Sequence, residues 1–207
     1  MSTIAYVLTI MVAFVHVTFG NFDMYRMHGQ QETTESKFGQ QPDGWMLFND
    51  TPRNCDDVHP FKFWPDRSDV SHGRRGVVCE GKGCWVDDWP WPNIKRVEMH
   101  FCKEPDYHFT IYKDKGRQDG DTWMWTLFDL YNNKKGECFA YGGVDWDCRW
   151  PPHLNGHPWL LERHMWAQRK FRCIHELDAT DFVKCAGIPD GRKAGEDMDS
   201  TAVTFTA

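Results

Sequence analysis

Residues 96–112 read Arg-Val-Glu-Met-His-Phe-Cys-Lys-Glu-Pro-Asp-Tyr-His-Phe-Thr-Ile-Tyr. Two β-favouring runs, Arg96–Cys102 and Tyr107–Tyr112, flank a Glu-Pro-Asp turn at 104–106, the pattern of short strands separated by turn residues. The same pattern recurs outward at 44–48, 61–64, 76–79, 122–131, 137–141 and 169–175. Pro-Asp-Gly at 42–44, Asp-Lys-Gly at 114–116 and Asn-Asn-Lys-Lys-Gly at 132–136 separate those runs. In Thr122–Phe128, Trp123 and Trp125 share one face of a strand, and Met124, Thr126 and Phe128 share the other, because side chains alternate with period two. These readings predict a mainly β, single-domain antiparallel sandwich or barrel stapled by disulfides. At most one short helix is expected, at Leu160–Gln168 after Pro158.

The flanks differ from this centre. Thr3–Phe19 is apolar apart from small hydroxyls and His16. At about 16 residues it suits a signal-peptide core and falls short of the roughly 20 needed to span a bilayer. The expected organisation is a signal peptide at 1–20, a loose amino-terminal segment at 21–43 with one strand at Phe22–Met27, a β domain at 44–186, and a mobile carboxyl-terminal tail at 187–207. Within that tail, Val203–Phe205 is the segment able to dock as a strand.

The 207 residues carry 24 basic against 30 acidic side chains, a net charge of −6, which argues against general phosphate-backbone binding. All eight cysteines, Cys55, Cys79, Cys84, Cys102, Cys138, Cys148, Cys173 and Cys185, follow the proposed cleavage point. An even count behind a signal peptide predicts four disulfides in an oxidising compartment. Eight cysteines permit about 105 pairings, and spacing alone does not choose among them. Local bridges Cys79–Cys84 and Cys138–Cys148 are expected, because glycines lie between the partners of each pair. Aliphatics are sparse beside 14 Phe, 11 Trp and 6 Tyr, so large aromatic side chains are expected to build the core.

Asn-Cys-Asp-Asp-Val at 54–58, Gly-Val-Val-Cys-Glu-Gly-Lys-Gly-Cys at 76–84 and Val-Glu-Met-His-Phe at 97–101 resemble uncharacterised fungal small secreted cysteine-rich, effector-like proteins. His108–Lys113 and Arg169–Cys173 extend the resemblance, which covers about 45–185. It implies a secreted compartment and a binding class, and it carries no catalytic motif.

Two functional readings compete. The first is an extracellular binding protein, monomeric, acting on a protein or glycan partner through loop aromatics Trp85, Trp89, Trp91, Trp146, Trp150 and Trp159, since tryptophan is favoured at binding hot spots. The second is a small secreted hydrolase, ribonuclease-like or glycan-directed. It would use Glu98, His100 and Arg96, which share a strand face and suit general acid–base chemistry. That set is similar to the Glu, Arg and His of fungal guanyl-specific ribonucleases, with Tyr131-Asn132-Asn133 and Gly136 resembling their substrate loop. Asp145 and Asp147 are weaker carboxylate candidates. His153, His157 and His164 are read as solvated, so neither a metal nor a cofactor is expected. Asn49-Asp50-Thr51 is a glycosylation sequon, placed on a loop.

Overall fold

The computed structural model describes residues 20–33, 43–58, 63–88, 94–102, 105–113, 118–119, 122–140, 145–150 and 160–186. The strands are β1 Gly20–Thr33, β2 Asp43–Phe48, β3 Phe63–Pro65, β4 Gly76–Gly81, β5 Ile94–His100 and β6 His108–Tyr112. They continue with β7 Gln118–Asp119, β8 Thr122–Asp129, β9 Lys134–Ala140, β10 Trp146–Trp150 and β11 Leu160–His175, and helix α1 follows at Ala179–Cys185. One antiparallel sheet runs in the order β3-β2-β1-β11-β9-β8-β6-β5-β4, with β10 also on β11 and β7 on β8. Its two edges meet. Asp66, just past β3, bridges Val77 of β4 in parallel, and Arg67 N–H donates to the Val77 carbonyl at 2.9 Å. The sheet is thereby nearly closed into a barrel, which removes most of its exposed edge.

Aromatic side chains replace the missing aliphatics, as composition implies. Trp45, Trp64 and Trp125 are fully buried in the barrel interior beside Phe22, Phe101 and Phe171. Trp64 keeps its indole N–H satisfied by donating to the Phe101 carbonyl at 3.1 Å. A smaller cluster, including Tyr25, Met46, Phe48 and Met165, lies apart from this interior core. It packs on the outer face of β1, β2 and β11, where the 3-10 turn Cys55–Asp57 is fastened to β10 by the Cys55–Cys148 disulfide.

Three expectations change. The strand expected at Phe22–Met27 is present but longer: β1 runs over Gly20–Thr33 between β2 and β11, and its residues 22–27 are buried on both faces. Its polar residues disguise it because they have specific partners; Asp23, for example, is held by Arg169 at 3.2 Å and Arg172 at 3.6 Å. Leu160–Gln168 is strand rather than helix, pairing with β1 along its whole length. The helix lies instead at Ala179–Cys185, opened by a capping box between Asp178 and Asp181, a local device that the spacing Asp-x-x-Asp carries. Cys79 and Cys84 are bridged as expected, but Cys138 does not reach Cys148. It faces Cys173 across the β9–β11 ladder and bonds there, while Cys148 takes Cys55 and Cys102 takes Cys185. The proposed signal peptide up to Phe19 and the tail at 187–207 lie outside the described residues.

α1 closes one end of the barrel. Phe182 packs its ring 4.4 Å from Phe101 and 5.1 Å from Phe22. Beside it, His175 is 1% exposed and its Nδ1 accepts the Leu177 N–H at 2.9 Å. Burial pushes the His175 pKa down, with Lys135 adding to the shift and Glu176, Asp181 and the Leu177 hydrogen bond opposing it. The folded protein therefore refuses a proton that the unfolded chain accepts, so stability falls as pH drops below the ordinary histidine value of 6.5, toward the lower folded value. Urea unfolding at pH 7.5 and 5.5 should show a larger acid loss for the wild type than for His175→Asn, which keeps an acceptor and cannot titrate. Equal losses would remove this assignment.

Candidate functional site

The opposite end of the barrel is polar, for a reason visible in the register. β11 pairs with β9 at Phe171–Ile174 and with β10 at Arg163–Ala167, leaving Gln168, Arg169 and Lys170 between the two. Opposite this gap, β1 and β11 slip: Met24 faces Phe171 but Tyr25 faces Arg169, so Lys170 is the extra residue of a β-bulge. A bulge resets the in–out alternation. Arg169 consequently packs with Asp23 and Thr51, while Gln168 lies opposite Arg26.

Lys170 is fully buried, and its ammonium donates to the Trp85 carbonyl at 2.5 Å, to the Asp88 carbonyl and to Gln168 Oε1. Burial pushes its pKa down to about 8, against the pull of Asp88, Asp145 and Asp87 and with the push of Arg26. Arg26 is 2% exposed and donates to the Cys84 carbonyl at 3.1 Å, the Gly44 carbonyl at 3.1 Å and Asp66 Oδ2 at 3.2 Å. Its guanidinium carbon lies 5.8 Å from each of the Trp45 and Trp85 ring centres, within cation–π range. Two buried cations thus bind the loop at residues 82–88 across the barrel end.

Under that loop lies a cavity of about 540 Å³ lined by Val86, Asp87, Asp145, Trp146, Asp147, His164, Trp166, Ala167 and Gln168. His164 Nε2 sits 2.8 Å from Asp147 Oδ1. The Trp166 ring stands between two imidazoles, 5.0 Å from His164 and 4.5 Å from His28, and His28 is in turn paired with Asp43. Asp87 and Asp145 are exposed and make no hydrogen bond or ion pair with a described residue. The cavity therefore combines indole walls with two carboxylates that no described residue hydrogen-bonds. A second cavity, of about 520 Å³, lies near Tyr107, Leu130, Tyr131 and Glu176, where Lys135 stands between Asp129 at 3.8 Å and Glu176 at 3.9 Å.

The structure scatters the tryptophans that the sequence grouped. Trp146 lines the first cavity, Trp85 stands 63% exposed over Arg26, and Trp150 ends β10. Trp89, Trp91 and Trp159 lie outside the described residues, as do His153 and His157. Asp145 and Asp147 do meet a cavity, joined there by Asp87, although Asp147 is committed to His164. Tyr131-Asn132-Asn133 forms the β8–β9 turn, organised by Asp129, whose carboxylate accepts from the Tyr131 and Asn133 amides at 2.9 and 2.8 Å.

Arg96, Glu98 and His100 do share a face of β5, and a second histidine joins them from β6. His108 Nε2 lies 2.9 Å from Glu98 Oε1, and its ring centre is 5.0 Å from that of His100. Arg96 reaches Glu80 at 2.7 Å and Glu98 at 3.7 Å. His100 and His108 are buried, His100 Nδ1 lies 3.2 Å from the Val70 carbonyl, and none of these residues lines either cavity. Cross-strand pairing accounts for the cluster. Sequence reading missed Lys170, Arg26, Gln168 and Trp166. Nothing local to Arg26 or Lys170 marks them, because the bulge and the loop carbonyls that give them their partners are tertiary.

Fold and site together define a disulfide-stapled, nearly closed antiparallel β-barrel with one end plugged by a helix and a polar, aromatic cavity at the other. No family model, characterised protein or solved structure matches the chain. Among the described residues no helix is long and apolar enough to cross a membrane, and no group of three or more His, Cys, Asp or Glu is placed to hold a metal ion.

Proposed function

We propose that this is a secreted binding protein that takes a small organic cation in the cavity beneath the loop at residues 82–88. The observation that carries the reading is the meeting of the carboxylates Asp87 and Asp145 with the indoles of Trp146 and Trp166 in one cavity. Aromatic faces attract ammonium groups through the ring quadrupole, and carboxylates at the rim add Coulomb attraction and steer the ligand in. Four disulfides support an oxidising, extracellular setting. On this reading the ligand site is at the barrel end, and among the described loop-aromatic candidates Trp146 lines it. The hydrolase reading has less support, because Glu98 and both histidines are already engaged with neighbours.

The test is calorimetric titration with 2-phenylethylammonium, its neutral N-acetyl derivative and 3-phenylpropionate. The ammonium should bind saturably and at least tenfold more tightly than the other two. Asp87→Asn combined with Asp145→Asn should erase most of that preference while leaving the melting temperature within about 2 °C of wild type, as expected for exposed substitutions. Equal binding of all three compounds would keep the cavity as a site and reject the cation. No heat from any of them would reject both.

A further inference from the structure

We propose that Asn49 is the clamp that docks α1 onto the barrel, and that its sequon must stay unmodified for the protein to close. Asn49 follows the last residue of β2, and all three of its side-chain bonds go to the first turn of α1. Its Oδ1 accepts the Ala179 N–H at 2.7 Å, and its Nδ2 donates to Asp178 Oδ2 at 3.1 Å and to Thr180 Oγ1 at 3.0 Å. Ala179 is the first residue of the helix, where an amide N–H has no partner within the helix itself. Asp178 spends its own side chain on the Asp181 N–H, so the acceptor for Ala179 comes from β2's end, some 130 residues earlier in the chain.

N-glycosylation replaces one Nδ2 hydrogen with a bond to a sugar carbon. A C–N single bond is about 1.46 Å long. Asp178 Oδ2 and Thr180 Oγ1 lie 3.1 and 3.0 Å from Nδ2, so a sugar carbon placed toward either would sit about 1.6 Å from it, far inside van der Waals contact. A glycan at Asn49 and a docked α1 therefore exclude each other. The consequence reaches the core, because α1 carries Phe182, which fills the barrel end, and Cys185, which is bonded to Cys102.

The folded structure cannot supply this protection when it is needed. At about 5–20 residues per second, α1 emerges on the order of ten seconds after Asn49, leaving the sequon free to meet the transferase on an unfolded chain. Protection has to lie in the sequence, and it does: an acidic residue, Asp50, fills the middle position and Pro52 follows Thr51, both unfavourable to transfer.

The experiment is secretion of the full chain from a glycosylating eukaryotic host, followed by peptide mass mapping of Asn49. The expected result is an unmodified asparagine in the folded product; a glycan on most of the folded product would overturn the proposal. A second variant, Asp50→Ser with Pro52→Ala, improves the acceptor. Its glycosylated form should melt several degrees below the same variant made in a host that lacks the transferase, and should yield Cys102 and Cys185 to thiol alkylation. Equal melting of the two forms would overturn the clamp. A variant that also stays bare would overturn the role given to Asp50 and Pro52.

Discussion

Phe182→Ala should cost about 3–5 kcal/mol of folding stability, the range for deleting a buried phenylalanine ring. α1 is seven residues long, well below the roughly 12–15 residues at which an isolated helix becomes even marginally stable. Its existence depends on what it packs against, and Phe182 provides most of that packing. Phe182 is 0% exposed, and besides Phe101 and Phe22 its ring lies 5.9 Å from Phe109 and 6.2 Å from both Tyr107 and His175. Truncation removes a ring from the middle of an aromatic cluster whose members come from separate segments of the barrel and cannot collapse onto one another. Guanidinium unfolding measures the loss, with exposed Lys184→Ala as the control expected within about 0.5 kcal/mol of wild type. A Phe182→Ala loss below about 1 kcal/mol would show that the barrel end closes without the helix.

Lys170→Met should cost about 2–4 kcal/mol at neutral pH, because buried acceptors that lose their donor retain their full desolvation penalty. Methionine matches the length of the lysine stem and leaves the Trp85 carbonyl, the Asp88 carbonyl and Gln168 Oε1 without their shared donor. The loop at residues 82–88 then keeps Arg26 and the Cys79–Cys84 disulfide as anchors near this end. Faster amide exchange should be confined to that loop and to β11 near the bulge. The pH dependence identifies the cause. Lys170 gives up its proton at about 8 when folded and at 10.5 when unfolded, so between those values the unfolded chain binds more protons and wild-type stability gains with pH. The difference between wild type and Lys170→Met should therefore widen from pH 8 to pH 10.5. A constant difference across that window would place the cost in packing rather than in the ammonium. Any ligand affinity of the cavity should fall in the same variant, since Val86 and Asp87 are positioned by this loop.

Much of the barrel was legible before its coordinates. The strand runs around 96–112 and 122–128 appear as β5, β6 and β8, because alternation and turn chemistry are properties of neighbouring residues. Cys79 and Cys84 were legible for the same reason, being five residues apart. Leu160–Gln168 was not. Its Met165 and Ala167 face the outer cluster while Trp166 and Gln168 line the cavity, but with both faces of β11 covered the alternation no longer separates apolar from polar. The full length of β1 was hidden in the same way, since its Asp23 and Arg26 are polar yet each is buried against a partner far along the chain. The face shared by Glu98, His100 and Arg96 was read correctly. That His108 and Glu80 also occupy it was not legible, because they arrive from β6 and β4.

The sequence by itself determined a mainly β, aromatic-cored, cysteine-rich chain. All of that follows from period-two patterning, turn residues and composition, which act over a few positions. Only the tertiary structure decided that Cys138 meets Cys173, that β1 lies inside the sheet, that Lys170 sits in a bulge under the loop at 82–88, and that Asp87 joins Asp145 at a cavity. Those outcomes depend on which strands pair and in what register. Register is set by burying both faces of a sheet that must close on itself, a condition that involves the whole chain at once.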